Sequence, residues 1–588
     1  MCGICGEFKF INESFNNEKL NNLMDSISAR GNDSQGTYMD DDVFLGHHRL
    51  AIIDTSDKSN QPMQVGKYVI VFNGVIFNYR ELRNDLIKKG YSFSSSGDTE
   101  VIVQSYMEYG SDCVNHLDGV FAFCIYNTVS KSLFLARDRI GIKPLYYLKE
   151  SGQMYFSSHM KGIIKNMINR KINPIALNYQ FTLHSVVPAP HTIIDNIQKL
   201  EPGHTITVHK SGKIDKTKYF SIDEIQLSNY KTNEIHENIS LLLDAAVKKR
   251  ISVADVPVGI LLSGGLDSSL ITAISKRYKD DLSTYSIGFE TISKEEGNEF
   301  YYSDLVAKDL KTSHEKYSVT SIDLLNNLDH VITSMSEPMF SQDSSAFYLL
   351  AKNVSKSAKV VLSGQGADEV FGGYFWYDKI MKERGLKSID TLSKYYFDRS
   401  YDNYKKIIHS NFIGENYASN DIESRLNQMD PSLSILDKVF RLELSMFIID
   451  DPVKRVDNMT MSHSLEARVP FLDIDLISFM LSVRSEMKIL NGEKCLLKDI
   501  SKKYLSNKII NREKFYFPVP PLKIIKDKFL DYCRKTLLSE SALERNLYNM
   551  SYIREILDKP NQNFTNLNGN ELWHFTLLER WLQLNIDQ

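Results

Sequence analysis

The stretch "VPVGILLSGGLDSSLITAISKRYKD" (256–280) decides the fold of the larger part of the chain: an apolar run reads as a buried strand, two glycines make a tight turn, and the remainder has the apolar spacing of a helix. Upstream, "EIHENISLLLDAAVKKRI" (234–251) is an amphipathic helix. Downstream, strands and helices alternate through "TYSIGF" (284–289), "NEFYYSDLVAKDL" (298–310) and "KVVLSG" (359–364). That order predicts an α/β doubly wound parallel sheet, which collects its ligands beyond the carboxyl ends of its strands. From about 375 onward the chain reads as largely helical, and 375–440, rich in Tyr, Lys and Asn, carries no chemical motif and is expected to cover the core.

Residues before this block have a different texture. Short β-type runs crowd together: "YVIVFNG" (68–74), "FAFCIYN" (121–127), "SLFLARD" (132–138), and "LYYLKE" and "QMYFSS" joined at Ser151-Gly152. Such strands with tight turns predict a layered antiparallel α+β domain over 2–210. The polar, aperiodic 211–235 reads as a linker, leaving 236–588 as the second domain.

At 588 residues, with 42% hydrophobic and 24% charged side chains, the chain is an ordinary core-forming globular protein. A net charge of −4 offers no phosphate-tracking surface, so neither nucleic acid nor an anionic membrane is an expected partner. No apolar run reaches the length of a membrane span and no leader-like segment opens the chain, so the cytoplasm is the expected location. Six scattered cysteines (Cys2, Cys5, Cys113, Cys124, Cys495, Cys533) fit free thiols in a reducing compartment; Cys2 and Cys5 form a CxxC, but no second ligand pair follows.

Chemistry enters with "MCGICGEF" (1–8). If Met1 is removed, Cys2 carries a thiol and an α-amine on one residue, a nucleophile beside its own base, since the two groups titrate near ~8.5 and ~8. Alone, Cys2 reads equally as an unremarkable residue near a terminus. Its company argues otherwise: Arg49 in "GHHRLAIID" (46–54) suits a carboxylate, and Asn73 and Gly74 end a strand where an amide and a backbone N–H can form an oxyanion hole. Asp98 in "SGDTE" (96–100), read as a turn, suits an α-ammonium. Together they would grip an amino acid by both charges and attack its side-chain amide.

These residues, with "RDRIGIKPLYY" (137–147) and "FSSHMK" (156–161), resemble the class II glutamine amidotransferases, N-terminal-nucleophile glutaminases that begin Met-Cys-Gly. The resemblance implies that Cys2 forms a γ-glutamyl thioester, that Arg49 and Asp98 hold the ends of glutamine, that Leu50 and Ile52 lend carbonyls, and that Asn73 and Gly74 form the oxyanion hole. The chain departs from the family pattern at "ARGND" (29–33), where asparagine-forming members usually read H-R-G-P-D and this chain has Ala29, and at Val75, where they read N-G-E.

In the second half, the turn Ser263-Gly264-Gly265-Leu266-Asp267-Ser268-Ser269 places backbone N–H groups and a helix N-terminus where they can cradle a phosphate chain, without Walker spacing. The string resembles the pyrophosphate loop of ATP pyrophosphatases, which split ATP between the α and β phosphates. "KVVLSGQGADEVFGGY" (359–374) repeats the layout, with Asp368 and Glu369 beyond the strand end. With "DPVKRVDNMTMSHSLEARVPFLD" (451–473), "NGEKCLLKD" (491–499), "NREKFYFPVP" (511–520) and "ELWHFTLLERW" (571–581), the order is similar to the synthetase domain of glutamine-dependent asparagine synthetases. That likeness implies ATP and Mg²⁺ as cofactors, with Leu261, Ile287, Ser363 and Gly364 contacting the nucleotide, Asp267 and Asp368 holding magnesium, and Lys494 steadying adenylate and pyrophosphate. It also implies glutamine and a carboxylate acceptor as substrates, and a homodimer.

The implied activity is ATP-dependent transfer of glutamine-derived ammonia to an adenylated aspartate. One position bears on the acceptor: asparagine-forming members usually read S-G-E-G, and here Gln365 stands for that Glu and cannot act as a base at neutral pH. Two alternatives stay open, the same machinery acting on another carboxylate such as a sugar uronic acid, and a catalytically silent scaffold.

Overall fold

The computed structural model describes residues 2–11, 13–150, 152–383, 388–514 and 519–587. Ser151 of the predicted turn, and 515–518 within "NREKFYFPVP", lie outside the described residues.

Two six-stranded antiparallel sheets build the N-terminal part. One runs Gln198–Lys199, Tyr146–Glu150, Gln153–Ser157, Gly3–Lys9, Val43–Arg49, Ser34–Met39; the other Ile214–Lys218, His204–His209, Ser132–Arg137, Gly119–Asn127, Tyr68–Ile76, Met63–Val65. Ile4, Phe8 and Leu45 of the first sheet pack face to face with Val71, Cys124 and Leu133 of the second. The outer face of the first sheet is covered by the Asn17–Ile27 and Met160–Asn166 helices, and that of the second by Tyr79–Lys88 and Asp98–Tyr109. The result is a four-layer αββα stack, because each sheet is apolar on both faces and must be covered on both. The last strand, Ile214–Lys218, falls inside the stretch read as linker.

The predicted parallel sheet is present. Its strands lie in the order Ser313–Val319, Ser283–Phe289, Val258–Leu261, Val360–Leu362, Glu466–Arg468, all parallel. Numbered along the chain this is 3-2-1-4-5, so the order reverses between Val258–Leu261 and Val360–Leu362, and the crevice at that switch point is where such sheets bind ligands. The two Gly-rich loops seen in the sequence leave from these two strands. The fifth strand is three residues long and fully buried, and it pairs in register with the fourth, Leu362 opposite Arg468. Helices occupy most of the chain beyond 366, among them Phe375–Lys382, Tyr417–Gln428, Ile435–Leu442 and the buried Glu571–Asn585.

Buried ion pairs join the two parts. Arg30 and Lys143 both meet Asp457, at 2.9 and 3.2 Å, and Lys199 meets Glu337 and Asp450, at 3.0 and 2.6 Å. All six side chains are almost wholly buried.

Candidate active site

Cys2 sits just before the Gly3–Lys9 strand and is buried in a pocket that it lines with Arg49, Leu50, Ile52, Gly74 and Asp98. The Cys2 backbone N–H donates to Asn73 Oδ1 at 3.1 Å. That bond fixes the Asn73 amide, whose Nδ2 is buried and has no hydrogen-bond partner among the described residues. An orphaned amide donor beside a thiol is what an oxyanion hole requires before substrate arrives. Burial pushes the Cys2 thiol up from its ordinary value, while a backbone hydrogen bond at Leu50 and the charge of Arg49 act against it.

Asp98 opens the Asp98–Tyr109 helix rather than lying on the predicted turn. Residues 98–105 are all buried, so the segment has no polar face and no amphipathic period to detect. Its carboxylate accepts from the Ile76 N–H at 3.0 Å, yet burial lifts it to about 6. Arg49 reaches the following loop, donating Nη1 to the Ser56 carbonyl and Asn60 Oδ1 and Nη2 to the Asp54 carbonyl. The Ile52 carbonyl accepts from the Asp255 N–H at 2.8 Å, so this wall is tied to the second part of the chain.

The second cluster lies at the switch point. Leu261, Ser263, Asp267, Ser268, Ile287, Ser363, Gly364, Gln365 and Asp368 line one cavity. Ser263 and Ser268 hydroxyls bond at 3.1 Å and Ser263 Oγ accepts from the Gly265 N–H, which shapes the turn. Gly264 has φ +76°, and a Cβ there would come within 2.5 Å of the Ser303 backbone nitrogen. Gly265 caps the Leu266–Lys276 helix; Ser269 is buried one turn in, with its N–H on the Gly265 carbonyl.

Lys494 joins the two loops. Its Nζ lies 2.7 Å from Asp267 and 2.9 Å from Asp368. It reaches them across Gly373, where a Cβ would stand 2.2 Å from Lys494 Cε and 2.0 Å from an Asp368 oxygen. Burial raises Asp267, with the Lys494 ammonium pulling the other way; burial likewise opposes ionisation of Asp368, but Lys494 and Lys514 outweigh it and hold it at about 2. Two carboxylates converging on one point beside a phosphate-type loop are hard oxygen donors of the kind that share Mg²⁺ with phosphates, so the residues present fit that ion.

Two families of sequence models match this chain: a glutamine amidotransferase domain over residues 1–220 and asparagine synthase over 238–583. The chain belongs to the asparagine synthase family. Bacillus subtilis (strain 168) asparagine synthetase [glutamine-hydrolyzing] 1 is 29% identical over 626 residues, covering 100% of this chain and 97% of that protein. Asparagine synthetase [glutamine-hydrolyzing] 3 of the same organism is 30% identical, covering 88% and 87%. A putative asparagine synthetase [glutamine-hydrolyzing] 2 of Methanocaldococcus jannaschii is 36% identical, covering 64% and 76%. For an asparagine synthase family chain, the layered antiparallel fold followed by the parallel sheet is the expected class.

Several lining residues were not legible in the sequence. Ser59, Gln61 and Thr99 border the Cys2 pocket, with Gln61 Oε1 accepting from the Phe72 N–H and its Nε2 donating to Thr99. Glu466 and Arg468 border it too, from the other part of the chain. Tyr285, Asn298 and Glu299 border the switch-point cavity. The 375–440 stretch, read as a cover, contributes Phe375, Trp376 and Tyr396 to a third cavity of about 770 Å³, larger than the switch-point one of about 140 Å³.

Proposed function

We propose that the protein is a glutamine-hydrolysing asparagine synthetase. The observation that carries this is one chain holding two separate pockets suited to the two halves of that chemistry: a thiol with an orphaned amide donor, and a Gly-rich loop with two carboxylates clamped by a lysine. In this reading 2–210 is the glutaminase, 211–235 the connection and 236–588 the synthetase. With Met1 removed, the Cys2 amine takes the thiol proton and the thiolate attacks the glutamine side-chain amide. Asn73 Nδ2 and the Gly74 N–H hold the oxyanion, Arg49 and Asp98 hold the α-carboxylate and α-ammonium, and Leu50 and Ile52 frame the wall. Collapse releases ammonia and leaves a thioester, which water hydrolyses to glutamate.

At the switch point, ATP would lie with its adenine side near Leu261 and Ile287, its phosphates on the 263–269 turn and its α-phosphate toward Ser363 and Gly364. Asp267 and Asp368 would hold Mg²⁺, which when bound supplies charge neutralisation of the phosphates. The aspartate β-carboxylate attacks the α-phosphorus and pyrophosphate leaves, with Lys494 balancing the charge that develops there. Ammonia then attacks the acyl carbon, the C–O bond to AMP breaks, and the surplus proton of the nitrogen leaves with the AMP phosphate or to water, giving asparagine. Gln365 orients by hydrogen bonds and takes no proton.

The second reading, a larger carboxylate acceptor, is favoured by the 770 Å³ aromatic-walled cavity that reaches Lys514 and Glu369 beside Asp368. Mass spectrometry of products from MgATP, amide-¹⁵N glutamine and aspartate tests both. Labelled asparagine with AMP supports the first; glutamate release without asparagine, with turnover on a uronate panel, supports the second.

A further inference from the structure

The Cys2 pocket is closed by the fifth strand of the parallel sheet, a segment over 460 positions away in the chain. Glu466 and Arg468 line it alongside Cys2, Arg49 and Asp98. Strand residues two apart point to one face, so both side chains turn toward the pocket while Ala467 turns away. Arg468 donates Nε to Glu466 Oε1 and Nη1 to the carbonyls of Arg250 and Val253. These bonds lock the guanidinium, and the guanidinium locks the carboxylate. Both side chains are about 1% exposed.

The charges then form two pairs, Arg49 with Arg468 and Asp98 with Glu466. A pocket that is neutral overall but carries both signs suits a zwitterion. From its own half the pocket receives a single carboxylate, Asp98, because Val75 at the neighbouring wall offers only an apolar surface. The charge of Glu466 is felt at Asp98, opposing its ionisation, which places the two carboxylates within electrostatic reach of each other. The chain's own terminal amine acts on both groups and favours the ionised form of each, so this corner of the pocket is one that attracts an ammonium. The α-ammonium of a bound amino acid is a cation of the same kind, and the arrangement discriminates against an amide that lacks one.

We infer that Glu466 is a substrate-binding residue of the glutaminase pocket, taking the α-ammonium of glutamine together with Asp98, and that Arg468 is its positioning residue. The inference rests on the glutaminase reading above and deepens it: the synthetase part supplies half of the amino-acid specificity of the hydrolase. The Glu466 carboxylate stays charged in this setting, since burial opposes ionisation but Arg468, the chain's terminal amine and Lys143 together outweigh it and hold the group at about 2.

The test compares glutamine with glutaric acid monoamide, which keeps the amide and the carboxylate and lacks the amine. The full-length enzyme is assayed for glutamate or glutarate release, and the readout is the ratio of kcat/KM for the two substrates. Glu466→Gln is expected to lower that ratio about 10- to 100-fold, the range set by losing a charged hydrogen bond, with the effect falling on KM. Glu466→Asp, which keeps the charge on a shorter arm, gives an intermediate fall, and it serves as the test if E466Q does not fold. Adding Val75→Glu to E466Q restores the ratio. A purely structural role for Glu466 lowers both rates together and leaves the ratio unmoved, and that result overturns the inference. A wild-type enzyme that releases neither product overturns the glutaminase reading itself, a failure distinct from an active wild type whose ratio ignores position 466.

Discussion

The two pockets are built on opposite plans. The switch-point cavity is assembled around loops that leave adjacent strands of one sheet, so its centre is two short runs, 261–268 and 363–368, bridged by Lys494, with Tyr285–Ile287 and Asn298–Phe300 completing the wall. The thiol pocket is assembled from strand ends of two stacked sheets, a helix start at Asp98, and a strand that belongs to a third sheet. The first is organised by backbone turns of a single sheet. The second exists only when distant elements are docked. Chemistry that needs phosphate contacts can rely on successive N–H groups of one turn, whereas holding a small zwitterion needs opposite charges arriving from several directions.

The two pockets part most sharply at Cys2. Cys2→Ala is expected to reduce glutamine hydrolysis by about 10⁵-fold, to background, while synthesis from free ammonia persists; an equal loss of both activities would show that the pockets are not chemically separate. Lys494→Ala should remove about 10³-fold from ATP–pyrophosphate exchange and leave glutamate release, the mirror image of the first result. Asn73→Ala is expected to cost about 10²-fold in kcat for glutamine hydrolysis with a smaller change in KM, as deletion of one oxyanion donor does. A KM effect alone would reassign Asn73 to ground-state binding.

A pH profile sharpens the contrast further. Asp98 lies at about 6, above its ordinary value, because burial disfavours the charged form. It is therefore protonated below about 6 and loses its hold on an ammonium there, so kcat/KM for glutamine should fall about tenfold per pH unit on the acid side. Glu466 raises Asp98, hence Glu466→Gln should move that limb to lower pH, the smallest of these effects. An unmoved limb would mean that the groups do not sense each other.

How much of this was legible follows the same division. The strand–turn–helix runs at 256–280 and 359–371 carry their structure locally, so the parallel sheet and a phosphate-cradling turn at a strand end can be read from spacing and glycines, whereas the strand order, and with it the switch point, depends on long-range pairing. The thiol pocket was legible in its N-terminal residues and illegible in its closing wall. Glu466 and Arg468 sit in a three-residue strand, too short for periodicity, and nothing local says that two charged side chains there are buried. The sequence around Asp98 points to the right neighbourhood and the wrong element, since the first eight residues of the helix are buried on all sides and offer no contrast to read. Within 375–440, Phe375, Trp376 and Tyr396 read as core cover because a cavity wall and a core face have the same composition.

The buried ion pairs between the two parts set a limit on divisibility. Cutting the chain between 219 and 231 and separating the pieces would part Asp457 from Arg30 and Lys143, and Lys199 from Glu337 and Asp450; removing one partner while the interface stays closed costs about 3–5 kcal/mol. Such a protein does not lend itself to module exchange: a glutaminase half grafted from a relative must bring the matching charges at both seams, or the hybrid inherits stranded ions in a dry interface. The seam, more than either pocket, is what makes this one enzyme instead of two.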